Sequence, residues 1–347
     1  MRRRNFLAAA GLAAGFQAPA IATGVRKLSM VTDWPKGSGM LSSAQRLANS
    51  VSEASNGRLE IDLTPSGGLV RPFETFDAVQ AGVADMFHSH IGYFEKKSPA
   101  FHFFSGVPFG LSAEELFSWV KFGGGQALFD ELSGQFNIKA MLCCSTGSQM
   151  GGWFTKPIDS PESFEGLKYR MSGPGAEVLR RLGAVVVVVP GSEIVLALQS
   201  GAIDACEWVG PWMDMKMGLH NAAPYYYYPA WQEPGTALAL GINQQIWAEL
   251  ADEDQRIIAL AAESEYAVSL AEFNFNNARA LQQIRQIQGV TVARFNESVL
   301  QRLSQVSTTV LEEIAADDAL SKRIYTSHRE FKSVIRGWTL IAHSGLS

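Results

Sequence analysis

Cysteine is scarce: the 347 residues hold three, Cys143, Cys144 and Cys206. An exported scaffold held by disulfides would carry more, at regular spacings. One vicinal pair and one distant partner have no metal-ligand spacing either. All three read as small buried hydrophobes, and a 143–206 or 144–206 bridge has no support in the sequence. Positive charge is also sparse, with 29 Lys and Arg against 34 Asp and Glu and a formal net charge of −5. No basic cluster occurs beyond the first few residues, which argues against nucleic acid as a partner, because phosphate attraction needs a basic face. Past the N-terminus, no stretch approaches the roughly 18 apolar residues of a membrane span. G-x-S-x-G, H-E-x-x-H, a P-loop and a strand-turn-helix G-x-G-x-x-G are all missing. What is present is a globular composition, 47% hydrophobic and 18% charged, which excludes a disordered chain. The length suggests about two domains.

Residues 1–22 read as a signal peptide of twin-arginine type. Arg2-Arg3-Arg4-Asn5-Phe6-Leu7 precedes a short apolar run from Ala8 to Phe16, and Ala18-Pro19-Ala20-Ile21-Ala22 supplies an A-x-A cleavage site. The expectation is an exported protein. Cleavage after Ala22 removes three arginines and no acid, taking the formal charge from −5 to −8.

Leu28 to Val31 reads as a first strand, followed by a Trp34-Pro35-Lys36-Gly37 turn. Leu41, Ala44, Leu47, Ala48 and Val51 then recur at helical spacing, and Asn56-Gly57 closes that helix as a left-handed cap. Leu59, Ile61 and Leu63 alternate as a strand. Strands alternating with helices predict an α/β architecture with largely parallel sheets.

Ala78-Val79-Gln80-Ala81-Gly82-Val83-Ala84-Asp85 recurs 119 residues later as Ala197-Leu198-Gln199-Ser200-Gly201-Ala202-Ile203-Asp204. Each copy reads as a helix end, a glycine cap and entry into a strand. The echo predicts two equivalent lobes of a periplasmic-binding-protein-like fold, with loops facing each other across a cleft. Those loops are His88-Ser89-His90 in one half and Glu207-Trp208-Val209-Gly210-Pro211 in the other. Residues 138–154 and 235–247 read as glycine-bearing strands that cross between the lobes as a hinge. Ala251 to Gln288 is a helical pattern without Pro or Gly, acidic at its start, which would brace both lobes over roughly 57 Å. Another helix is expected from Glu297 to Ile314, then a basic tail. The expected division is lobe I from 23–145 with 237–250, lobe II from 146–236 with 290–347, and a bridging C-terminal helix at 251–289.

Arg170 closes a short strand pattern, Gly166-Leu167-Lys168-Tyr169-Arg170, where its planar fork can take a carboxylate in bidentate fashion; an ordinary salt bridge would also explain it. Glu207 and Glu233 sit among aromatics, as Cys206-Glu207-Trp208 and Trp231-Gln232-Glu233-Pro234. Buried acids need a partner, which could be a hydrogen-bonded structural setting or a shared hard cation, Na⁺ or Ca²⁺. Trp34, Trp153, Trp208, Trp212 and Tyr225 to Tyr228 supply aromatic walls or core. His88 and His90 could seed a zinc site but lack an obvious third ligand. A metal-assisted periplasmic hydrolase using His88, His90 and Glu207 is the competing reading, and a binding protein for an ATP-driven importer a third.

The chain resembles the extracytoplasmic solute receptors of tripartite ATP-independent periplasmic (TRAP) transporters, in the branch for 2-oxo and 2-hydroxy monocarboxylates. Met30-Val31-Thr32-Asp33-Trp34-Pro35-Lys36-Gly37, Val107-Pro108-Phe109-Gly110, Gly166 to Arg170, Glu207 to Pro211 and Glu233-Pro234-Gly235 carry the likeness in the family's order. The resemblance implies no enzymatic activity and a ligand carboxylate paired with Arg170. It also implies Gln149 contacting both ligand and cation, and a cation held by Glu207, the Trp208 main chain and Glu233. The segment His88, Ser89 and His90 would contribute from the other lobe. Periplasmic location, membrane permease subunits as partners and, in some members, a homodimer on the long helix are implied in the same way. Met213, His90 and Gln232 depart from the family's usual residues, which leaves the ligand's size and polarity open.

Overall fold

A computed structural model describes residues 24–342; the expected signal segment lies outside the described residues. The chain begins β1 (Arg26–Thr32), α1 (Gly39–Ala54), β2 (Leu59–Thr64), α2 (Thr75–Gln80) and β3 (Met86–Ser89). Two 3₁₀ segments, Ile91–Phe94 and Pro99–Phe104, lead to α3 (Ala113–Phe122), α4 (Gly125–Gly134) and β4 (Ile138–Gly147). Then come β5 (Gly152–Phe154), β6 (Lys168–Arg170), α5 (Gly173–Arg181), β7 (Val185–Val187), α6 (Ile194–Gln199) and β8 (Ala205–Cys206). They are followed by α7 (Pro211–Met217), β9 (Tyr225–Tyr228), β10 (Thr236–Asn243) and α8 (Gln244–Glu249). The chain ends in α9 (Asp252–Ile284), β11 (Thr291–Arg294), α10 (Glu297–Ala315) and α11 (Ala319–Ala342).

Local chemistry explains the first unit. The Ser38 hydroxyl accepts the Leu41 N–H at 3.1 Å and starts α1, whose Met40, Ala44, Leu47, Ala48 and Val51 are buried. The helix ends as Asn56 and Gly57 take φ of 52° and 75°, the left-handed conformation that a β-branched residue would resist. The echo is structural as well. Gly82 and Gly201 adopt φ of 74° and 71° at the ends of α2 and α6. The closing acids then do the same work: Asp85 Oδ2 accepts the Ser29 N–H at 2.7 Å, and Asp204 Oδ2 accepts the Lys168 N–H at 3.0 Å.

Two sheets result, ordered β2-β1-β3-β10-β4 and β11-β9-β5-β8-β6-β7. Both are mixed rather than largely parallel. In the first, β10 runs antiparallel to β3 and β4; in the second, β5 runs antiparallel to β8 and β9. The chain crosses from the first sheet to the second between β4 and β5, and returns between β9 and β10. A returning strand enters from the far side, so it opposes its neighbours. The expected crossing strand at 235–247 stops at Asn243, because the Asn243 side chain accepts the Gln245 and Ile246 N–H groups and turns the next residues into α8.

Both faces of each sheet are covered. Val31 and Phe87 enter an aromatic core with Phe76, Phe94, Phe101 and Trp119, while Leu28, Met30 and Met86 face α1 and α9. Cys143 and Cys144 lie in the first lobe's core and Cys206 in the second's, all three free and buried. The long helix, at 33 residues, spans about 50 Å. It ends at Ile284, before the expected 288, as the chain loosens into turns ahead of Gly289.

The expected assignment of 290–347 to the second lobe needs correction. β11 and α10 pack there, but α11 returns to the first lobe. Leu320 and Ile324 enter the aromatic core, and the Ser327 hydroxyl takes the Trp119 indole N–H at 3.1 Å. His328 packs beside Phe103 and Trp119, and burial, with the charges of Lys332 and Arg336, pushes its pKa down to about 3. The unfolded chain takes up this proton near pH 6.5, the folded protein only near 3, so stability falls as pH drops through that window. Between pH 7 and 5 the loss from this residue is about 2 kcal/mol. His328→Leu should therefore lose about 2 kcal/mol less than wild type over that interval, read from urea midpoints. Equal losses would mean that folding does not lower the His328 pKa.

Candidate functional site

The cleft is built by strand ends and by the two connections between sheets. Arg170, the last residue of β6, is only 1% exposed. Its Nη1 donates to the Glu207 carbonyl at 2.9 Å and also reaches the Glu207 carboxylate; its Nε donates to the Val189 carbonyl at 3.3 Å. The Trp208 ring lies 5.5 Å from the guanidinium carbon, a cation–π distance. Nη2 is buried without a hydrogen-bond partner. Such a donor is costly unless an acceptor fills its place.

Glu207 follows β8 directly, and burial pushes its carboxyl up to about 8, against the pull of Arg170 and with the added repulsion of Glu233 and Asp214. Glu233 lies in the return connection and Gln149 in the outgoing one, and the Gln149 Nε2 donates to Glu233 Oε2 at 2.6 Å. Thr236 donates to the same oxygen at 2.8 Å, and His90 Nε2 stands 3.4 Å from Glu233 Oε1. Burial opposes ionisation of Glu233, yet His90 and these donors outweigh it and hold the acid below its usual range. Gln232 Nε2 donates to the Met150 carbonyl at 2.7 Å, a second tie between the connections.

The opposite wall comes from β1 and β3. His88 accepts the Trp34 indole N–H at 2.7 Å through Nδ1, and its Nε2 has no partner. Ser89 turns its hydroxyl to Asp33, which also accepts Phe73 N–H at 2.7 Å and Thr75 Oγ1 at 3.0 Å. Phe73 holds φ of 69° under that bond, and its ring meets Tyr93 edge-on at 4.8 Å. The Tyr93 ring also lies 4.9 Å from His90. Burial dominates and pushes the Tyr93 pKa up, although the Arg170 charge acts on its hydroxyl from the other wall.

Arg170, Glu207 and Trp208 thus form one cluster, while Gln149, Glu233 and His90 form a neighbouring one that feels its charge. His88 Nδ1 and the Ser89 hydroxyl are engaged with Trp34 and Asp33, while His88 Nε2 stays without a partner. Sequence reasoning passed over Tyr93 and the holding role of Asp33. Asp33 stood inside a quoted motif, and Tyr93 lies one 3₁₀ turn beyond His90, so the neighbouring motif was the available signal. Among the described residues, no three His, Cys, Asp or Glu side chains gather around one point. The residues expected for a zinc set, His88, His90 and Glu207, each have different neighbours: Trp34, Glu233 and Arg170. The two neighbouring clusters carry the carboxylate, amide and carbonyl oxygens of Glu207, Glu233 and Gln149. They suit a hard cation completed by ligand oxygens, and the repulsion between Glu207 and Glu233 gives it a reason to be there.

Two similar lobes around a buried guanidinium can hold an anion, the arrangement of a two-lobed binding receptor. More specifically, the chain belongs to the bacterial extracellular solute-binding proteins, family 7, whose model matches residues 30–318. A monocarboxylate 2-oxoacid-binding periplasmic protein of Nostoc sp. strain PCC 7120 is 39% identical over 312 residues, 90% of this chain and 85% of the relative. The crystal structure of a TRAP periplasmic solute-binding protein from Colwellia psychrerythraea, with bound calcium and pyruvate, is 34% identical. It superposes with a TM-score of 0.88 over 91% of this chain and 97% of that one. Another, from Pseudoalteromonas atlantica with bound sodium and pyruvate, is 33% identical, with a TM-score of 0.89 over 93% and 98%.

Proposed function

We propose that this protein is the periplasmic receptor of a TRAP transporter, capturing a small 2-oxo or 2-hydroxy monocarboxylate, pyruvate- or lactate-like, together with Na⁺ or Ca²⁺. The observation that carries this reading is the buried Arg170, whose Nη2 lacks an acceptor inside the cleft. A ligand carboxylate would take that donor and compete with Glu207 for Nη1, in a bidentate pair. Glu207, Glu233, the Gln149 side-chain oxygen and the Trp208 carbonyl would hold the cation, which supplies the positive charge to neutralise two acids and a ligand anion. Trp208 and Tyr93 exclude water from the guanidinium, where low dielectric strengthens the pairing. The relatives' bound calcium, sodium and pyruvate support this assignment.

Closure follows from the same geometry. Tyr93 and His90 come from one lobe and Arg170 and Glu207 from the other, so only the closed arrangement offers a ligand all of them. Delivery to membrane permease subunits completes the reading. Among the described residues, no helix is long and apolar enough to cross a membrane. A homodimer is supported by the exposed Leu260, Val268 and Phe275, which share one stripe of α9.

Thermal unfolding against a panel of acids tests the proposal. Pyruvate, lactate or a longer 2-oxo acid at a thousand times its Kd should add about 4 kcal/mol of stability, and the shift should weaken when Na⁺ and Ca²⁺ are removed. Stabilisation by dicarboxylates or sugars alone, or by no acid, would overturn it.

A further inference from the structure

The acid Asp214 touches none of the proposed ligand groups, yet it is 1% exposed and accepts four hydrogen bonds from beyond its own backbone. Its Oδ1 takes the main-chain N–H groups of Val209 at 3.1 Å and Gly210 at 3.0 Å. Its Oδ2 takes the Trp153 indole N–H at 3.1 Å and the Tyr226 hydroxyl at 2.7 Å. The last two rings are stacked with centroids 4.0 Å apart; they come from β5 and β9, the strands that adjoin the two inter-sheet connections. One buried carboxylate therefore fastens the residues immediately after Glu207 and Trp208 to the middle of the second sheet.

The other side of this loop is held too. Asn277 of α9 accepts the Trp212 N–H at 2.9 Å through Oδ1, and a Cβ on Gly210 would lie 3.4 Å from the same amide. Across the cleft, the Gly39 N–H points at Met213 Sδ at 3.3 Å, and a Cβ on Gly39 would lie 2.8 Å from the Trp212 ring. The short helix α7 therefore meets the second sheet, the bracing helix and the first lobe. A buried acid is an expensive way to fill space, since an apolar side chain would pack without losing hydration. Its bonds go to two successive peptide N–H groups, and the Val209 N–H shares one planar peptide with the Trp208 carbonyl, so holding the first directs the second.

We propose that Asp214 is a positioning residue for the ligand loop: by clamping the Val209 and Gly210 N–H groups it sets the direction of the Trp208 carbonyl and of Glu207, and through them the cation-dependent affinity for the ligand. The inference rests on the receptor reading above. Partners that orient metal ligands from outside typically change metal affinity by roughly 10–100-fold when removed.

The test is a titration of Ca²⁺ at fixed pyruvate, and of pyruvate at fixed Ca²⁺, followed by calorimetry on the mature chain. Asp214→Ala should raise the apparent Kd for Ca²⁺ by roughly 10–100-fold. Tyr226→Phe removes one bond from the sheet side of the same carboxylate and spares the loop side, so it should lower the melting temperature while its Kd stays within threefold of wild type. Should Asp214→Ala not fold, Asp214→Asn carries the test: its single oxygen still serves the two N–H groups, as Oδ1 does now, but without the charge that strengthens those bonds, so the Kd should rise roughly three- to tenfold, and a wild-type Kd would overturn the inference. A folded Asp214→Ala protein with wild-type Ca²⁺ dependence would overturn the inference and leave the receptor reading intact. So would equal losses of affinity in Asp214→Ala and Tyr226→Phe, which would make Asp214 a stabilising residue only. Wild-type protein that binds no pyruvate with either cation would overturn the receptor reading, and this inference with it.

Discussion

Arg170→Ala is expected to leave a folded protein that no longer binds a small 2-oxo acid measurably. Truncating one member of a buried charged contact typically costs 2–5 kcal/mol of binding, roughly 30- to 5000-fold in Kd. The upper end applies here, because the guanidinium also balances Glu207 inside the cleft. The fold should tolerate the change because Glu207 can take a proton: burial already pushes its carboxyl up against the pull of Arg170, and losing that pull pushes it further toward the neutral form. Calorimetry with pyruvate, alongside circular dichroism and a melting curve, gives the result. Affinity within tenfold of wild type would remove Arg170 from the site.

Glu207→Ala should behave in the opposite way, with a large loss of stability. Arginine cannot shed its charge in a protein, so removing its carboxylate partner strands a cation that is 1% exposed. The expected loss is about 3–5 kcal/mol. Adding Arg170→Ala to Glu207→Ala should recover part of it, since the stranded charge goes too. Denaturant titrations of both single variants and the double variant measure this as a coupling energy. A loss below about 1 kcal/mol for Glu207→Ala would show that the Glu207 and Val189 carbonyls suffice for Arg170.

Several parts of this arrangement were open to sequence reasoning because they rest on local rules. The Asn56-Gly57 end of α1 follows from capping chemistry, and the repeated Ala-x-Gln-x-Gly…Asp pattern foretold two matching helix-cap-strand units down to the twin acids Asp85 and Asp204. Arg170 and Glu207 could be singled out because a charge inside an apolar strand end asks for a partner. Their mutual contact could not, since it joins residues 37 apart through tertiary packing. Tyr93 was missed for a related reason. Its ring looks like any core aromatic until the fold sets it edge-on to Phe73, which is held at positive φ, and beside His90. The mixed direction of the sheets and the return of α11 depend on where the chain re-enters each lobe, and periodicity along the sequence carries no record of that.

The return of α11 bears on how the molecule is made. Trp119 and the Ser327 hydroxyl that takes its indole proton are 208 residues apart. At 5–20 residues per second, a ribosome needs roughly 10–40 s to join them. During that time the first lobe, although begun earliest, lacks Leu320 and Ile324 from its aromatic core, while most of the second lobe has already emerged. The first lobe to start is thus the last to finish, and a nascent chain shortened before α11 would present Phe103 and Trp119 to chaperones and proteases.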